Sequence, residues 1–293
     1  MKKGILGALV LALVCGTFAW GQAAKPPKQP NVKSKGELEM VQALLTAQDP
    51  DTRVKAADAL LVKYADTEFK SIALMLAAMS YQQKGDVEKM IVYAERTIEV
   101  DPNNFQCLGM LASAIAQRTR EFDLDREEKL GQVEKYAHKV MDLMKVVQKP
   151  NAQVPDDQWE AAKKDFTAQA HEALGVGWIV RKKYDPAIAE LKLALESGSS
   201  PDPSTQVRLA AVYNIVRKYD DALALLDKVI NTVNVDARIK QFAQAEKVRA
   251  LMAKGAIPKA GAQSSKPAAA NAPATPAAPA TAPAPTQPET KKP

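Results

Sequence analysis

Two stretches of this chain carry nearly the same four residues 35 positions apart: Tyr184-Asp185-Pro186-Ala187 and Tyr219-Asp220-Asp221-Ala222. A spacing of that size marks a supersecondary unit that cannot bury its apolar face alone and stacks on copies of itself. The unit is legible upstream, where Gln83-Lys84-Gly85-Asp86 reads as a tight turn. After it, Val87, Met90, Ile91, Ala94, Thr97 and Ile98 fall at the 3-and-4 spacing of a one-faced helix. Pro102 stops that helix, because proline has no N–H to continue it. Ala, Leu, Lys, Glu and Gln, all good helix formers, fill the spaces between such signals, and aromatics are only 5%. The reading is an all-α chain of helix–turn–helix units.

In length and residue pattern the unit resembles the tetratricopeptide repeat (TPR), bacterial secreted or periplasmic type, a 34-residue helical hairpin. With Pro102 set at the repeat's thirty-second position, one unit starts at Ser71, with Leu74 where the family usually has Trp. Tyr81 falls on its aromatic position and Ala78 on its small one. Units near 71–104, 105–147, 168–202 and 203–233 then share one frame. Leu174-Gly175-Val176-Gly177-Trp178 lies close to the family's Leu-Gly-x-x-Tyr core, and Tyr213 takes the same aromatic place in the fourth unit. The resemblance implies that Ala78, Ala112, Gly175 and Ala210 sit where the helices of a hairpin cross, with Ala187 and Ala222 facing from the second helix. A bulky side chain there would force the helices apart. The second and third gaps hold about nine and about twenty extra residues over the ideal period. One insertion follows Arg118; the other covers roughly 148–167, where Asp156 or Asp157 is expected to cap a helix and Trp159 to Phe166 to lengthen the next one.

The fold expected is an α-solenoid: a helical pair over 37–66 as degenerate repeat or cap, the array over 67–253, and a closing helix over 235–253. That last helix is expected to use Ile239, Phe242, Ala243, Val248 and Leu251 as its apolar positions. Residues 254–293 differ in kind. From 255 on, thirteen Ala and nine Pro dominate, so the segment reads as an extended, disordered tail. Residues 1–21 read as a signal peptide, with Lys2 and Lys3 before an apolar run from Ile5 to Val14 and Ala19-Trp20-Gly21 as the cleavage signal. Cleavage after Gly21 makes the protein periplasmic or secreted; the alternatives are an uncleaved anchor or lipidation at Cys15. A basic linker, 22–36, follows. The net charge of +6 is misleading, because the two ends carry +9 and residues 37–254 carry −3. A nucleic-acid partner is therefore not expected, since the basic excess is off the folded surface. The basic flanks allow only weak contact with a membrane or cell wall.

No residues in the sequence suggest catalysis or a cofactor. His138 and His171 stand in different repeats with no ligand-spaced neighbour. Asp123, Asp125 and Glu127 alternate as in a calcium loop but lack its glycine and its bidentate glutamate. Cys107 reads as a buried thiol. What the resemblance implies instead is a concave groove lined by first helices: Ile72, Met75, Met79, Gln82, Met110, Gln117, Val176, Ile179, Arg208 and Asn214. Only Arg208 and Asn214 match the carboxylate clamp of family members that hold chaperone tails, so that activity is not expected. The methionines suggest an adaptable apolar groove for an unidentified protein or peptide, or else packing against an insertion. The function expected is a non-catalytic envelope scaffold; the alternatives are a membrane-held assembly subunit and a metal-dependent helical enzyme. If the tail is disordered, deleting residues 255–293 removes no buried contact, and denaturant unfolding should show an unchanged midpoint.

Overall fold

The computed structural model describes residues 30–255. The signal segment with Cys15 and Gly21, the linker as far as Gln29 and the tail from residue 256 on lie outside them. Among the described residues there are eleven helices and no strand. They are α1 (Lys35–Thr46), α2 (Pro50–Lys63), α3 (Lys70–Lys84), α4 (Val87–Val100), α5 (Phe105–Arg118), α6 (Arg126–Val146), α7 (Asp156–Val180), α8 (Tyr184–Ser197), α9 (Pro203–Ile215), α10 (Tyr219–Asn231) and α11 (Ala237–Ala253). Each helix packs on its successor, and α5 also lies along α7, so the chain is an α-solenoid of stacked hairpins.

Short polar side chains start most of these helices. Ser34, Asp49, Asp86, Asn104, Asp202 and Asp236 each accept a hydrogen bond from a backbone N–H in the first turn that follows. Proline at the first position of α2 and of α9 sets φ for the helix without wasting a donor. The expected aspartate cap of α7 is absent: Pro155 precedes the helix, and Asp156 and Asp157 sit inside its first turn. There they oppose the positive end of the helix dipole.

Three hairpins turn in the same way. The N–H groups of Asp86, Lys183 and Lys218 donate to the carbonyls of Tyr81, Trp178 and Tyr213 at 3.0, 2.9 and 2.8 Å. The residue between is left-handed each time: Gly85 (φ 74°), Lys182 (φ 58°) and Arg217 (φ 62°). This is the glycine-favouring helix C-terminus, and two of the three turns form it with a long cationic side chain. The α5–α6 connection departs from it because seven residues, 119–125, join the helices there, and Thr119 is extended.

Inside the hairpins the small residues are packed without free space. Ala78, Ala112, Ala187, Ala210 and Ala222 are 0–1% exposed. A Cβ on Gly175 would stand 2.8 Å from Leu191 Cγ and 3.5 Å from the Ala187 carbonyl oxygen, so the chain at Gly175 touches α8 directly. Tyr81 and Tyr213 are buried, and Tyr81 packs on Tyr93 with centroids 5.3 Å apart. Trp178 is half-buried, and its ring carries the Arg181 guanidinium 4.9 Å from its centroid. At the N-terminal end Glu37 is fully buried, accepting from the Thr67 hydroxyl and the Lys33 N–H, each at 2.6 Å. Those two donors hold its carboxyl below the ordinary range.

The closing helix docks differently from the sequence expectation. Only Ala243 and Ala250, seven residues apart, are buried in α11, while Phe242 is 60% and Val248 41% exposed. Two alanines let α11 lie close on α9 and α10, and Lys247 bonds Asp227 at 2.5 Å beside them. Phe242 and Val248 consequently face outward, while Ile239 packs at the edge of the second core and Leu251 is half-buried.

Two predictions follow from this geometry. Gly175→Leu should lower unfolding stability by about 2–4 kcal/mol through overpacking. Gly177→Leu should cost less, since a Cβ at Gly177 meets only Leu130 Cδ2 at 3.5 Å. Arg217→Gly should raise stability by about 0.5–1 kcal/mol by removing the left-handed strain, and Gly85→Arg should lower it by a similar amount; denaturant titrations measure both.

Candidate functional site

The ten residues expected to line the groove do not form an open one. Met75, Met79 and Met110 are 6–7% exposed and belong to the first core. The reason is that α3 is buried without interruption from Ala73 to Tyr81, and α5 from Cys107 to Ala112. A helix apolar around its whole circumference is an interior helix. Ile72 and Val176 pack against that core, and Ile179 against the second. Arg208 donates to Glu172 of the preceding unit. Asn214 donates to the Glu246 carbonyl and carboxylate at 3.1 and 3.0 Å, while its own Oδ1 is buried without a partner. Of the ten, Gln82 and Gln117 alone are exposed. The other eight thus serve packing within and between the repeats.

The open ground lies elsewhere. Helices α6 and α7 have 21 and 25 residues, against 12–17 in the others. Their outer halves bound a cleft of about 490 Å³, lined by His138, Met141, Met144 and Lys145 from α6 and Lys163, Lys164, Thr167 and His171 from α7. An adjoining hollow shares Lys145, Glu160 and Lys163 and reaches Trp159. Phe105 anchors the outer half of α7, meeting Trp159 and Phe166 edge-on at 6.3 and 4.9 Å. Gln169 Nε2 donates to Ser113 Oγ at 3.2 Å, fixing the register of α7 on α5.

The cleft is amphipathic and ionic. Lys145 bonds Asp142 at 2.8 Å and Lys163 pairs with Glu160 at 2.6 Å. The Lys145 hydrogen bond, with His138 adding to it, holds the Asp142 carboxyl below its usual range. His171 Nδ1 lies 2.8 Å from Glu190 Oε2 of α8. Lys164 has no carboxylate partner among the described residues. The two histidines, 33 residues apart in sequence, line one wall and the other of the same cleft. Among the described residues no group of three or more His, Cys, Asp or Glu side chains could hold a metal ion. Cys107 is fully buried, and burial pushes its thiol up to about 12.

At the far end of α6 an ionic network ties the first insertion down. Arg181 binds Glu127 at 2.8 Å and also Glu134, and Lys182 pairs with Glu121 at 2.6 Å. Asp123 and Asp125 both pair with Lys129. The alternating carboxylates that resemble a calcium loop are thus engaged by the chain's own cations.

Fold and cleft together define an α-solenoid of TPR-like hairpins, with a polar cleft where two of its helices overrun the rest. No protein-family model matches the chain, and no curated protein matches its sequence. Among solved structures it is similar to TTC0263, a thermophilic TPR protein of Thermus thermophilus, at 16% identity and a TM-score of 0.47, covering 73% of this chain and 96% of that one. MamA protein aligns at 16% identity and a TM-score of 0.36, covering 64% and 93%. Acl4, an assembly chaperone of RpL4, aligns at 14% identity and a TM-score of 0.38, covering 77% and 99%. No helix of the described residues is long and apolar enough to cross a membrane.

The burial of Cys107 yields a check on this arrangement. A thiol that is neither accessible nor ionised at neutral pH does not react. Thiol reagents should therefore leave Cys107 unlabelled in the native protein and modify it fully in denaturant. Fast native labelling would mean that α5 is not an interior helix.

Proposed function

We propose that this protein is a non-catalytic interaction scaffold of the bacterial cell envelope that holds a segment of another protein in the α6–α7 cleft. The observation that carries the reading is the contrast between two faces. The positions expected to line the groove are taken up by packing and by inter-repeat pairs, while the cleft stays open and offers the partly exposed Met141 between lysines and histidines. Such a surface suits a peptide, because apolar contact supplies affinity and placed polar groups set orientation. Methionine adapts to the shape of what it meets. The proposed envelope location rests on the N-terminal pattern of Lys2, Lys3, the Ile5–Val14 run and Ala19-Trp20-Gly21.

The test is a photo-crosslinking side chain at Thr167, with Ala224 on α10 as the control position. Thr167 lines the cleft and Ala224 is exposed away from it. In envelope preparations Thr167 should give an adduct of defined mass and Ala224 none. Equal labelling at both sites, or none at either, removes the docking reading. Intact mass of the purified protein checks the location: a chain beginning at Gln22 is expected, and retention of Met1 to Gly21 would replace secretion by anchoring.

A further inference from the structure

Phe122 and Leu124 are 86% and 107% exposed, in the loop between α5 and α6. That loop is nonetheless pinned. The Arg120 N–H donates to Asp123 Oδ2 at 3.1 Å, the Arg126 N–H to the Asp123 carbonyl at 3.1 Å, and the Arg126 guanidinium to the Glu121 carbonyl at 2.8 Å. Lys182 anchors Glu121 from the neighbouring hairpin. Two large apolar side chains are therefore held outward on a fixed backbone. A preorganised knob of this kind loses little conformational entropy on docking, and leaving it in water is unfavourable.

The cleft between α6 and α7 has the complementary character. At about 490 Å³, with Met141 and Met144 in its lining, it is large enough for two such side chains. Its lining carries Lys145, Lys163 and Lys164 against Asp142 and Glu160. Of the five carboxylates in the knob segment, residues 120–128, Glu121, Asp123, Asp125 and Glu127 pair with cations of this chain, which leaves the exposed Glu128 to meet Lys164. The knob cannot reach the cleft of its own chain. It precedes Arg126 at the start of α6, and the cleft begins at His138, twelve residues along a rigid helix, or about 18 Å away.

We propose that Phe122 and Leu124 of one copy dock into the α6–α7 cleft of a second copy. The inference rests on reading the cleft as a docking site and names its occupant. Two copies can exchange knobs reciprocally in a closed two-fold dimer, or each can pass its knob to the next toward a ring or filament.

Sedimentation equilibrium of the chain, with and without residues 1–21, tests this with two variants. Phe122→Ser/Leu124→Ser removes the knob, and Lys163→Glu/Lys164→Glu reverses the cleft charge; Lys164→Glu alone replaces the latter if its helical content falls. The unaltered chain should assemble as concentration rises, and each variant alone should assemble at least about tenfold more weakly. Mixing the two variants restores one knob–cleft pair, so the mixture should stop at a one-to-one dimer. A chain that stays monomeric up to about 0.5 mM, or assembly that survives both variants, overturns the proposal. A monomeric chain that still gives the Thr167 adduct overturns this occupant while leaving the docking reading in place.

Discussion

The structure depends on how closely two helices can approach at the crossing of each hairpin. At Gly175 the backbone of α7 meets the Leu191 side chain directly, with no room for a methyl group. Alanine serves the same purpose at Ala78, Ala112 and Ala210. Close approach brings the rows of larger side chains into contact on either side, and that burial supplies the stability. It also fixes the tilt of each hairpin on the next, because packed side chains leave few other angles. Everything outside the crossings, including the long insertions, is carried by a frame those small residues set.

The insertions determine where the molecule is open. In a regular hairpin both helices end together and their sides are covered by neighbours. Here the first insertion becomes a pinned loop and the start of α6, and the second becomes the Phe105-anchored half of α7. The extra turns run past the stack and lack neighbours on one flank, which is why the cleft and the exposed Phe122 and Leu124 both lie on inserted sequence or beside it.

The sequence shows the fold clearly because the fold is written in local signals. Turn residues, prolines and small residues at a 35-residue spacing state where helices start, stop and cross. The site was less legible. Met75, Met79 and Met110 occupy positions that line a groove only if the stack leaves that face uncovered, and coverage is a property of neighbours rather than of spacing. His138 and His171 meet in one cleft through the crossing of α6 and α7, although no sequence spacing links them. The outward turn of Phe242 follows from Ala243 and Ala250 giving α11 a closer seat than a bulky face allows. In α11 the signal was present, since two alanines seven apart are a helical stripe, but larger apolar residues nearby obscured it. The exposure of Phe122 and Leu124 had no such signal: each is an ordinary apolar residue until the loop around it is fixed.

The glycine contact in α7 has a further consequence. One core runs from Val41 to Leu174, and the second gathers Ile188, Leu191 and the residues beyond. Between them, at Gly175 and Gly177, α7 offers backbone where other helices offer side chains. The solenoid is therefore two cores sharing one helix, joined where α7 and α8 approach most closely. In mechanical terms that seam is an interlock: sliding α8 along α7 would drive Leu191 against the α7 backbone.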